Sequence, residues 1–174
     1  MTNLRSAREL AERVRVVEDH PGRDLEPHEL QSRSQHKDSM LRHGLLISDS
    51  VTPEIEKRIA IVCERLRIPR ISVTAFVYNS AEIQADCLID TPDSCILRFT
   101  SGLINLMDEK EFQFVAAHEL GHFLLGHGAC SQYISEDSSE RFMTQRAREL
   151  SADRIGYLGV DNLDESIQAI IKTA

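Results

Sequence analysis

The stretch His118-Glu119-Leu120-Gly121-His122, set inside the apolar run from Phe112 to Leu125, constrains this chain more than any other feature. The residues on either side, Phe114-Val115-Ala116-Ala117 and Phe123-Leu124-Leu125, are apolar on nearly every face of a helix, which predicts a buried one. On a helix, residues four apart lie about 40° apart around the axis. His118 and His122 therefore point the same way and can grip one metal ion. Glu119 falls on the next azimuth, placed to hold a water against that ion rather than to bind it. Two imidazoles and a carboxylate in a buried helix need partners, and a metal supplies them. The chemistry is that of a metal-dependent amide hydrolase, in which a water becomes nucleophilic near neutral pH.

A catalytic zinc takes three protein ligands and leaves one position for water, so a third ligand is needed. The metzincin pattern would place a histidine at position 128, which is Gly128. His127, nine residues after His118, falls on the opposite side of a continuous helix and could serve only if the helix breaks at Gly126. Glu149 is the third candidate. It lies in a stretch where Phe142, Ala147, Leu150, Ile155 and Leu158 recur at near-helical intervals, with no Gly or Pro from Ser138 to Ile155. Glu149 and Asp153 share a face, and a like-charged pair four apart is unfavourable unless something holds it. Glu149 can reach the metal. Asp153 can accept a hydrogen bond from the free ring nitrogen of a ligand histidine and fix its tautomer. On this reading, loss of Glu149 sharply weakens metal binding and loss of His127 leaves it nearly intact.

The residues Thr100-Ser101-Gly102-Leu103, Glu111, Ala117-His118-Glu119-Leu120-Gly121-His122 and Glu149-x-x-Ala152-Asp153-Arg154 together resemble the gluzincin zinc peptidases that include HtpX, the CAAX prenyl proteases and the small soluble minigluzincins. The resemblance runs from about Ile71 to Leu158. It implies zinc on His118, His122 and Glu149, Glu119 as general base, and Asp153 behind a ligand. That family shows an Asn-Ala pair on the strand framing its cleft; the corresponding stretch here is Gln84-Ala85-Asp86-Cys87. The phrase from His118 to Leu125 is also similar to the ImmA/IrrE-type proteases, which cleave repressors.

A chain of 174 residues, 41% hydrophobic and 28% charged, has room for one core. No run approaches the ~20 apolar residues of a membrane helix, and the start, Met1-Thr2-Asn3-Leu4-Arg5, lacks a signal core. The expected location is the cytoplasm. A net charge of −8 without a basic stripe argues against a nucleic-acid partner. Cys63, Cys87, Cys95 and Cys130 form no C-x-x-C pair and read as free thiols.

The pattern predicts helices over Leu4–Val17 and Pro27–Arg42, broken at His20-Pro21-Gly22. His20, His28, His36 and His43 lack metal spacing. A helix starting at Thr52-Pro53-Glu54 buries Ile55, Ile59, Val62 and Leu66. Strands follow at Ile71–Val77, Glu82–Ile89 and Cys95–Thr100, the last two joined by an Asp90–Ser94 hairpin loop. Next come the metal helix from about Asp108, an irregular loop over Gly128–Asp137, the Glu149 helix and a last helix over Asn162–Lys172.

The expected fold is α+β: a small, mostly antiparallel sheet packed on the zinc-binding helix, with further helices at both ends. Residues 1–50 form an N-terminal helical segment, lid or core extension, and residues 51–174 the metallopeptidase domain. Cys95–Thr100 is expected at the sheet edge, where an extended peptide can pair. The expected activity is that of a zinc endopeptidase with one Zn²⁺ per chain, acting on peptides or proteins. Arg154 and Tyr157 are the candidates for stabilising the oxyanion. A terminal segment, Met1 to about Ser50 or Lys172-Thr173-Ala174, is a candidate for self-inhibition. Two alternatives stay open: a regulator that cuts one protein partner, and an inactive zinc-stabilised binding module.

Overall fold

The computed structural model describes residues 42–127 and 139–173. The expected helices ahead of Arg42, the Gly128–Asp137 loop and Cys130 lie outside these residues.

Strand β1, Leu45–Leu46, pairs antiparallel with β2, Val73–Tyr78. Between them runs α1, Pro53–Leu66, with Pro in its first turn, where the missing N–H costs nothing. It stops at Arg67 in the left-handed conformation, φ 58°. Its face of Ile59, Val62, Cys63 and Leu66 is buried, as the spacing predicts. Strand β3, Ala85–Thr91, forms a hairpin with β4, Ser94–Thr100.

The order across the sheet is β1-β2-β4-β3. β4 therefore lies in the interior, parallel to β2 and antiparallel to β3. The expectation that Cys95–Thr100 forms the edge is overturned: the edge strands are β1 and β3. The reason is burial. Cys95, Ile96, Leu97 and Phe99 are all buried, a nearly continuous apolar run of the kind that fits between two neighbours. β3 carries Asp86 and Asp90 and no buried residue.

Thr100 caps the short helix α2, Ser101–Leu106, accepting a hydrogen bond from Leu103 N. A Cβ at Gly102 would lie 2.5 Å from the carbonyl oxygens of Ala81 and Glu82, so only glycine lets that loop rest on α2.

Helix α3, Glu109–Leu124, is the hub. Asp108 and Glu111 cap it reciprocally: Asp108 Oδ1 accepts from Glu111 N at 2.9 Å, and Glu111 Oε2 accepts from Asp108 N at 2.8 Å. Phe112, Ala116, Ala117 and Leu120 are fully buried. Burying one such Phe or Leu side chain stabilises the fold by roughly 1.5–3 kcal/mol.

Helix α4, Ser139–Val160, packs along α3, and α5, Leu163–Thr173, closes the other side. The α3–α4 approach is tight. A Cβ on Gly159 would lie 2.3 Å from the Ala117 Cβ, and one on Gly121 would lie 3.2 Å from the Ala152 Cα. Arg65 donates to the carbonyls of Gly159 and Val160 at 2.7 and 3.0 Å and so ties α1 to the end of α4. At the other end of α3, Lys172 of α5 pairs with the buried Glu111 carboxylate. Phe142 and Leu150, part of the apolar recurrence that marked α4, are exposed; the pattern located the helix but not its buried face.

The sheet is mixed, with two antiparallel pairings and one parallel, and the architecture is α+β as expected. Among the described residues no helix is long and apolar enough to cross a membrane.

Candidate active site

His118 and His122 lie one turn apart near the C-terminal end of α3, and Glu149 comes from the middle of α4. The Nε2 atoms of the two histidines are 3.1 Å apart. Glu149 Oε2 lies 3.3 Å from Nε2 of His118 and 3.6 Å from Nε2 of His122. Three potential ligand atoms thus face one another across a space the size of an ion.

The other ring nitrogens are turned away and occupied. Nδ1 of His118 lies 2.9 Å from Asp153 Oδ1. A carboxylate there calls for a proton on Nδ1, which leaves the Nε2 lone pair free. Nδ1 of His122 lies 2.9 Å from Nδ1 of His127. If both Nδ1 atoms carry the proton, three acceptors converge with none between them, an arrangement that a cation resolves.

The fit to zinc can be tested on distance. Donors about 2.0–2.1 Å from a tetrahedral zinc stand roughly 3.3–3.4 Å from one another. The three separations here, 3.1, 3.3 and 3.6 Å, bracket that value. Two imidazoles and one carboxylate also suit zinc rather than the oxygen-seeking Ca²⁺ or Mg²⁺.

Glu119 follows His118 on the helix and is partly buried. Burial, with the negative charges of Asp86 and Glu149, pushes its carboxyl up to about 8. Asp86 is on the edge strand β3, where Arg98 of β4 pairs with it. Burial lowers His122 and His127, the latter to about 4; the neighbouring imidazole, His118 for the first and His122 for the second, and then the Arg148 guanidinium lower them further.

Residues 50–144 match the model of peptidase family M48. The chain belongs to peptidase family M48. M48 enzymes are metallopeptidases that generally use zinc, and the matched span holds His118, Glu119 and His122. It ends before Glu149 and Asp153, whose assignment rests on the distances above. Comparison with curated proteins and with solved structures gives no match.

Of the residues singled out in the sequence, His118, His122, Glu149 and Asp153 come together, with Glu119 beside them. Arg154 and Tyr157 are exposed on α4. Among the described residues neither makes a hydrogen bond or ion pair with that group. Arg148 is the cation whose charge reaches His122 and His127, and sequence reading missed it.

It also missed where His127 goes. The helix stops at Leu124, Gly126 takes φ +69°, and the chain doubles back to set His127 on His122. A glycine just past a helix end is the standard signal for such a stop, and applying it would have removed the assumption of a continuous helix.

Proposed function

We propose that this M48 chain is a zinc-dependent endopeptidase in which His118, His122 and Glu149 hold one zinc ion. The observation that carries the proposal is the triangle of donor atoms with edges of 3.1, 3.3 and 3.6 Å, both ring Nδ1 atoms being engaged elsewhere. When bound there, zinc supplies a Lewis acid for the scissile carbonyl and acidifies a water.

Glu119 is the general base. It takes the proton of the attacking water and delivers it to the leaving amine. Its raised pKa belongs to the metal-free site; a cation beside it favours the ionised form the role requires. Asp153 holds the His118 ring in the tautomer that leaves Nε2 free. The developing oxyanion needs a donor of its own; Arg154 and Tyr157 are the candidates, and Tyr157 lies one turn beyond Asp153 on the same side of α4.

An extended peptide or protein segment is the substrate, pairing its backbone with the outer edge of β3. Within the family the motifs Thr100–Leu103, His118–His122 and Glu149–Arg154 resemble those of the HtpX, CAAX-protease and minigluzincin group. The M48 match favours that reading over an ImmA/IrrE-type regulator, and a purely structural zinc would have no use for Glu119. A terminal segment limits access to the cleft. The C-terminal tail is poorly placed for this, since Lys172 is held by Glu111, about 10 Å along α3 from His118. The part of residues 1–50 that precedes β1 is the better candidate, since Leu45–Leu46 pair in the sheet and Ile47 is buried.

Metal analysis and cleavage of a peptide library test the proposal. The expected result is one zinc per chain and cleavage by the wild type. Glu119→Gln should keep the zinc and lose turnover by roughly 10²- to 10⁴-fold. A zinc-free wild type, zinc loss in Glu119→Gln, or retained turnover in that variant refutes it.

A further inference from the structure

We infer that His127 is a positioning residue for the metal site: its Nδ1 accepts a hydrogen bond from Nδ1–H of His122 and so keeps Nε2 of that ligand free and aimed at the ion. The inference rests on the assignment of His118, His122 and Glu149 as ligands.

The two Nδ1 atoms are 2.9 Å apart, with the ring centroids at 5.0 Å and the rings inclined by 68°. One proton lies between them, and there are two ways to place it. If His127 donated, His122 would carry its own proton on Nε2. That proton would point at Nε2 of His118, 3.1 Å away, and His122 could not ligate. If His122 donates, its Nε2 lone pair is free. Ion binding therefore requires the second arrangement, with His127 protonated on Nε2.

His127 is well held for this task. It is only 8% exposed and reaches His122 because the backbone turns at Gly126 with φ +69°. The two ligand histidines are thereby backed differently. His118 leans on the Asp153 carboxylate, which adds negative charge to its ring, whereas His122 leans on a neutral imidazole that orients it and adds no charge.

The plain alternative is that His127 only fills space under the end of α3. Zinc affinity, read by competition with a chromophoric chelator, separates the two. His127→Leu keeps an apolar side chain and removes the acceptor. His127→Asn places an amide oxygen where Nδ1 was. The contact with His122 revises the expectation that loss of His127 leaves metal binding nearly intact: we expect His127→Leu to lose roughly 10- to 100-fold in zinc affinity and His127→Asn to recover most of it. Metal-free thermal melts report whether each variant is folded. If His127→Leu does not fold, His127→Ala against His127→Asn carries the same comparison. Folded variants that bind zinc as tightly as the wild type, or Leu and Asn variants equally impaired, overturn the inference. A wild type that takes up no zinc, or a Glu149→Ala variant that binds as well as wild type, overturns the ligand assignment and the inference with it.

Discussion

Asp153 Oδ1 lies 2.9 Å from Nδ1 of His118, whereas Glu149 Oε2, one turn earlier on the same helix, lies 3.3 Å from Nε2 of that ring. One histidine is thus addressed at both nitrogens by carboxylates from α4, in two different roles. Asp153→Asn should cost about 10- to 100-fold in zinc affinity, as the loss of a partner behind a ligand does. Glu149→Ala should cost far more, because it removes a donor. Chelator competition on both variants checks the order, and an equal or reversed order would mean that the roles are misassigned.

Glu119 sets a pH dependence in the metal-free protein. Its carboxyl is raised to about 8 in the fold from an ordinary value of 4.5. Between those values the native state holds a proton the unfolded state has released, so stability falls as pH rises. The lowered pKa values of His122 and His127 act oppositely, an effect that fades within about one pH unit above their ordinary 6.5. From pH 6.5 to 8 the Glu119 slope is therefore the larger of the two. Urea denaturation of the zinc-free protein should show a loss of about 1–2 kcal/mol over that range. Glu119→Gln should abolish the loss, and a variant with the same slope would contradict the assignment.

Gly159→Ala should destabilise the fold by roughly 1–3 kcal/mol. Its new methyl would sit 2.3 Å from the Ala117 Cβ, so one helix must move away from the other. Because α4 also carries Glu149, zinc affinity should fall as well. Thermal melts and zinc titration of the same variant check both. A drop in stability with unchanged affinity would show that the ligands adjust independently of the helix spacing.

Removal of residues 1–41 and of residues 1–50 should give different proteins. The longer deletion takes β1 and the buried Ile47, whose N–H bonds to Ala75 O at 2.9 Å, and should be unstable. The shorter one leaves the sheet whole. If the segment limits access to the cleft, the protein lacking residues 1–41 should cleave a generic peptide faster than the full chain. If the segment completes the core, that protein should be unstable and inactive. Unchanged stability together with unchanged activity would exclude both.

The site was legible wherever helix periodicity alone decides geometry. Four-residue spacing placed His118 with His122 and Glu149 with Asp153. The match of α4 to α3 could be inferred only from the need for a third ligand, since the helix's apolar stripe misreported its buried face. Sheet order was not legible from chain order, because β4 inserts between β2 and β3 and pairing is a long-range event. The stronger apolar run in β4 was the available clue. β1, two residues long, carries too little pattern to be recognised, and its place comes from pairing with β2.

The two helices that carry the candidate ligands touch through Gly121, Ala152, Gly159 and Ala117, and their donors are separated along the chain by the span from His122 to Glu149. A bound ion would therefore act as a crosslink, closing that span into a loop and removing conformational freedom from it. The helix pair would then stay joined through the metal even if the polypeptide between them were cut. For a protease, which meets its own chain as readily as any substrate, a form cut within that span would stay assembled for as long as it kept its ion.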